Sequence, residues 1–137
     1  MEMTLSFPGG KSVDAKIGGI TIHTDQPVYA GGDGSGPAPF DLFLASIATC
    51  VGFYALRFCQ QRDIPTDELR VIQRTERDPE ARRLSRISID IHLPPEFPAK
   101  YRRAILRAAD QCAVKRHIIE PPEFEVRAML TEEPQPA

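Results

Sequence analysis

Cys50, Cys59 and Cys112 are the side chains in this 137-residue sequence that could do chemistry beyond simple proton transfer. A thiolate is a nucleophile and a metal ligand, and two thiols brought together can exchange two electrons with a disulfide. No two of the three form a Cys-x-x-Cys pair, and an odd number cannot all pair within one chain, so neither a disulfide scaffold nor a zinc site is expected. Cys59 follows Cys50 by nine residues, which at ~100° per residue turns it to the opposite side of a helix, so these two cannot be partners. Cys112 stands far off in sequence, just before the basic run Lys115-Arg116-His117. A reactive thiol needs a nearby cation or a helix N-terminus, and a mid-helix position denies Cys50 the second. Lys11, Arg57, Lys115 and Arg116 are the candidate cations, and nothing local selects among them. Residue type and spacing leave two readings open, a redox pair or small apolar residues of the core.

The elements that must position these thiols are legible from periodicity. Met3–Phe7, Ser12–Ile17 and Gly19–Thr24 alternate and are separated by glycine turns, as in a meander of strands. A glycine- and proline-rich loop over 30–39 leads into one long helix from Phe40 to Gln61, with Cys50 on its stripe Phe43, Ile47, Tyr54 and Phe58. Asp63-Ile-Pro-Thr ends it, and strands follow over Leu69–Arg77 and Arg86–Leu93, the latter with Ile87, Ile89, Ile91 and Leu93 on one face. Ala99 to Arg116 reads as a second helix whose stripe Tyr101, Ile105, Ala108 and Cys112 faces inward. Phe124–Leu130 reads as a last strand, and 131–137 as a frayed tail.

The composition is that of one globular α+β domain, 42% hydrophobic and 26% charged. A net charge of −2, with basic residues scattered among acids, gives no field that would attract nucleic acid or anionic lipid. The N-terminus has no signal pattern, so a cytoplasmic address is expected. The uncharged run Leu42–Leu56 is 15 residues long, too short to span a membrane. His23, His92 and His117 lack metal-ligand spacing, and neither a metal nor a cofactor is expected. The Glu76–Arg86 charge run reads as a wet hairpin, and the loop Gly31–Gly36 as the frame of a pocket mouth above Cys50. The helix from Phe40 carries apolar residues on nearly every face, more than one layer of strands and one other helix can cover. A second copy of the chain is the expected cover.

Two segments carry a resemblance. Gly36-Pro-Ala-Pro-Phe-Asp-Leu-Phe-Leu-Ala-Ser-Ile-Ala-Thr-Cys50, followed by Asp110-Gln-Cys112-Ala-Val114, resembles the OsmC-like family, which includes the organic hydroperoxide resistance proteins. The resemblance implies curved antiparallel sheets packed on two long helices, in an intertwined homodimer. It implies a peroxidase of oxidative stress defence, in which Cys50 attacks an organic hydroperoxide and becomes a sulfenic acid. Cys112 then resolves this as a disulfide that a dithiol reductant reopens. Peroxidase members carry a glutamate ten residues before the first cysteine and an arginine from an early strand. This chain has Phe40 at the first place with Asp41 beside it, and Lys11 at the second, so Asp41 and Lys11 are the candidate activating or orienting residues. The alternative is a non-catalytic dimer that binds a small apolar ligand in the same pocket.

Overall fold

A computed structural model describes residues 1–131. The chain opens with three antiparallel strands, β1 (Thr4–Gly9), β2 (Ser12–Ile17) and β3 (Ile20–Thr24), in the order β1-β2-β3. Gly10 and Gly18 take left-handed φ values of 56° in the two turns, a conformation that glycine reaches without steric cost. After a loop comes α1 (Pro39–Gln60), then the hairpin β4 (Arg70–Asp78) and β5 (Arg83–His92), and finally α2 (Arg102–Ala109) and α3 (Ala113–Ile119). The α+β architecture and the long central helix agree with the expectation from sequence.

Pro39 opens α1 with the φ a helix needs, and the Asp41 carboxylate accepts the Ala38 N–H at 2.9 Å, satisfying an otherwise orphaned donor. Asp63, at φ 54°, turns the chain away after its last turn. One side of α1 enters the core. Ala55, Phe58 and Cys59 pack with Phe97 and Ile105, and Val51 packs with Ala109 and Cys112 under Val71, Ile89 and Ile91. The alternating isoleucines of β5 thus meet the helix as their period of two requires. The Gln73 amide of β4 donates to the Leu44 carbonyl at 3.1 Å, pinning strand to helix. The Arg62 guanidinium lies 3.6 Å from the Phe58 ring centroid, closing the C-terminal end of the core with a cation–π contact.

Three expectations are corrected. The second long helix is broken: Cys112, at φ −52° and ψ 116°, is not helical but caps α3, its sulfur accepting the Lys115 N–H at 3.4 Å. Periodicity missed the break because Ile105, Ala109 and Cys112 remain on one buried stripe across it. Residues 124–130 form no strand and are exposed; among the described residues no strand pairs with them to make a ladder. The apolar helix is longer than the uncharged run, since Phe58 and Cys59 extend it past Arg57. By length and composition alone it could cross a membrane, yet Ile47, Val51, Ala55, Phe58 and Cys59 are buried in the core of this domain. The sheets of one chain also stay separate. Every residue of β1 is exposed, with Phe7 78% and Leu5 55% accessible, so the early strands do not wrap α1. The tail 132–137 lies outside the described residues.

Candidate active site

Cys50 and Cys112 meet where α1 passes the junction of α2 and α3. Both are free thiols; Cys112 is 1% exposed and Cys50 is half-buried. Burial pushes the Cys50 thiol up. Three donors outweigh that and hold it below its ordinary 9.0: the Val114 N–H, the Cys112 S–H and the Ala113 N–H. Cys112 moves the opposite way. Burial raises it, the Lys115 N–H opposes, and both its hydrogen bond to Cys50 and the charge developing there raise it further. The site therefore makes Cys50 the more acidic of the two thiols and Cys112 the less acidic, with Cys112 as the donor of the pair.

The helix N-terminus denied to Cys50 by its own position comes from elsewhere in the chain. The break at Cys112 starts α3, and the first two N–H groups of that helix, which have no partners inside it, are close enough to Cys50 to lower its pKa. No cation is needed for this part of the activation. Lys115 forms an ion pair with Asp110 and lends Cys112 its backbone N–H. Arg57 lies over the Tyr54 ring, 5.5 Å from its centroid.

The other candidates stand elsewhere. Asp41 is occupied as the cap of α1, nine residues and about 14 Å of helix rise from Cys50. Lys11 lies in the β1–β2 turn with its stem beside Gly31. Neither perturbs Cys50 within this chain. Phe40, at the position of the family glutamate, stacks on Phe43 with centroids 5.4 Å apart. Cys59 sits in the other half of the core, its thiol raised by burial and only partly lowered by Arg62. The His117 Nδ1–H donates to the Ala113 carbonyl at 2.7 Å. Among the described residues no cluster of three metal-ligating side chains occurs.

The loop over 30–36 was expected to frame the mouth above Cys50; it lines instead a cavity at the start of α1, because the helix itself separates the two places. Asp25, which sequence patterning did not single out, organises that loop. It is 1% exposed and accepts from the backbone N–H groups of Gln26, Asp33 and Ser35 and from the Ser35 hydroxyl, at 2.7 to 3.1 Å. Its carboxyl is accordingly held well below the ordinary 3.8, first by the Ser35 N–H and hydroxyl, which with the other donors overcome the effect of burial.

The α3 N–H groups make a direct test available. Ala113→Pro deletes one donor to Cys50 at the first position of a helix, where proline is tolerated, and the backbone of Cys112 is already in the region that a following proline requires. The expected result is a severalfold slower alkylation of Cys50 by iodoacetamide at neutral pH, in a Cys59→Ser, Cys112→Ser background, with the rate profile moved to higher pH. An unmoved profile would show that the N–H groups do not set the thiolate.

Comparison with known proteins identifies the family and the fold. The family model described as "OsmC-like protein" matches residues 32–127. A Psychrobacter arcticus 273-4 protein named for osmotic stress induction and detoxification response superposes with a TM-score of 0.69 at 22% identity, over 83% of this chain and 85% of that one. An OsmC-like protein from Mycoplasma pneumoniae gives 0.65 at 18%, over 88% and 87%. An organic hydroperoxide resistance protein from Legionella pneumophila gives 0.52 at 18%, over 86% and 89%. At these identities the likeness is one of fold. No curated protein sequence matches the chain.

Proposed function

Since this chain belongs to the OsmC-like family, we propose that it is a thiol peroxidase that reduces organic hydroperoxides, with Cys50 as the attacking and Cys112 as the resolving residue. The observation that carries the reading is that α1 and the α2–α3 junction bring two thiols remote in sequence into one cluster, Cys50 packed against buried Cys112, with backbone donors lowering the Cys50 pKa and burial raising that of Cys112. The Cys50 thiolate attacks the distal oxygen of R–O–O–H and the O–O bond breaks. Cys50 becomes a sulfenic acid, and the alkoxide leaves to take a proton as the alcohol. The Cys112 sulfur then attacks the Cys50 sulfur; its proton leaves with the hydroxyl as water, and a disulfide forms. An external dithiol, itself oxidised to a disulfide, restores both thiols.

An organic rather than a purely polar substrate fits an apolar hollow of about 470 Å³ lined by Phe43, Val114, Ile118, Pro122 and Phe124, which shares Ala113 and Val114 with the sulfur site. Reduced thiols at rest suit the reducing cytoplasm as its setting, in a role of defence against oxidative stress. Consumption of cumene hydroperoxide with dithiothreitol, compared between wild type and Cys50→Ser, tests the reading; equal rates would end it.

The chain acts as a homodimer in this proposal. Phe43 and Phe53 of α1 are 38% and 53% exposed, every residue of β1 is exposed, and so are Phe124, Val126 and Leu130. So much uncovered apolar surface calls for a second copy. Sedimentation equilibrium should give twice the 15.3 kDa chain mass, and a monomer at micromolar concentration would reject the dimer.

A further inference from the structure

We propose that the cavity between the start of α1 and the β4–β5 hairpin is a binding site for a small organic anion, a carboxylate or phosphate ester carrying a flat apolar body. The cavity encloses about 800 Å³, and Arg77, Arg82, Arg83, Tyr29, Phe40 and Asp41 contribute to its lining. Three arginines thus line one space in a chain whose net charge is −2. Among the described residues none of the three has an ion pair or a side-chain hydrogen bond, whereas Arg74 on the same strand is paired with Asp90 at 2.5 Å. Two acids beside the arginines are engaged by backbone donors. Asp78 accepts the backbone N–H groups of Glu80 and Ala81, and Asp41 accepts that of Ala38.

The hairpin backbone is shaped to bring these cations together. A regular ladder would send Arg82 and Arg83 to opposite faces. Here the register shifts between Glu76 and Arg77, and Arg82 takes a left-handed φ of 51°, so both neighbours reach the cavity along with Arg77. The opposite wall is preformed. Gln26, Gly34 and Gly36 belong to the loop that the buried Asp25 ties to Asp33 and Ser35, so the wall need not be ordered when a ligand arrives. The volume exceeds what a bare inorganic anion fills and lies in the range of small-molecule sites. Tyr29 and Phe40 offer aromatic surface for the rest of the ligand, while the planar guanidinium groups match the paired oxygens of a carboxylate or phosphate.

Isothermal titration of the full chain with phenyl phosphate, benzoate, inorganic phosphate and, as the uncharged control, benzyl alcohol tests this. Saturable, salt-sensitive binding of phenyl phosphate or benzoate is expected, and the tighter of the two identifies the head group. Arg77→Gln should weaken that binding about tenfold, as losing a charged hydrogen-bond partner does. Arg82→Gly removes the cation and at the same time relaxes the left-handed residue, so it should lose the same affinity without a lower melting temperature. Tyr29→Ala should weaken phenyl phosphate but not inorganic phosphate. The alkylation rate of Cys50 should stay unchanged in all three, which separates this site from the thiols. The proposal is overturned if neither organic anion binds, if benzyl alcohol binds as well as phenyl phosphate, or if Arg77→Gln and Arg82→Gly both bind like the wild type.

Discussion

Cys50→Ser lowers the rate of cumene hydroperoxide consumption at least about a hundredfold, a loss of about 2.7 kcal/mol of transition-state stabilisation. Serine preserves the size and the hydrogen bonds of the site but not the nucleophile, since a hydroxyl stays protonated where the thiol, with the Val114 and Ala113 N–H groups against it, ionises. Cys112→Ser has a different signature. It leaves the first turnover intact, because the attacking sulfur and its backbone donors remain. Without the second thiol the sulfenic acid persists, reacts with dimedone, and is lost to the sulfinic acid as peroxide accumulates. Single-turnover kinetics with mass detection of the adducts separates the two variants. If Cys112→Ser abolished the first turnover while Cys50→Ser kept it, the roles assigned from the opposed thiol displacements would be reversed; if both kept it, neither thiol would be the nucleophile.

Gly32→Ala destabilises the chain by about 3 kcal/mol or more, which for a domain of this size lowers the melting temperature by about 10 °C. A Cβ on Gly32 would lie 2.0 Å from the Gln26 carbonyl oxygen, 2.5 Å from its carbon and 2.9 Å from the Asp25 carboxylate. These are backbone atoms and a buried, four-times hydrogen-bonded side chain, so nothing nearby can swing aside. The loop must open, and Asp25 then loses the Asp33 and Ser35 donors that make it a stable anion. Circular-dichroism melting checks the size of the effect. Gly19→Ala is the control, because its added Cβ meets nothing within 4 Å; equal melting temperatures for the two variants would show that the loop yields easily.

Much of the fold was legible because it is local. Alternation along Arg83–His92 and the unbroken apolar run after Pro39 each report a period that the backbone imposes, and both elements are present close to the expected bounds. The failures share a cause. Whether Cys112 lies inside a helix or starts a new one depends on what the sulfur touches, and the stripe of Ile105, Ala109 and Cys112 reads the same either way. Residues 124–130 have a strand's composition, but a strand exists only beside a neighbouring strand, and among the described residues none pairs with this segment.

The candidate site divides along the same line. Taken alone, the sequence carried the α+β class in its periodicities, and in two motifs the resemblance that pointed to the family and to Cys50 and Cys112. Tertiary structure decided what sets each thiol. It broke the second helix at Cys112, brought the start of α3 beside Cys50 so that its backbone donors lower that thiol's pKa, and left Lys11 and Asp41 serving a turn and a cap. It also gathered three arginines of one hairpin against the loop that Asp25 holds. Acidity and charge recognition depend on distances between groups remote along the chain, and no local period encodes those distances.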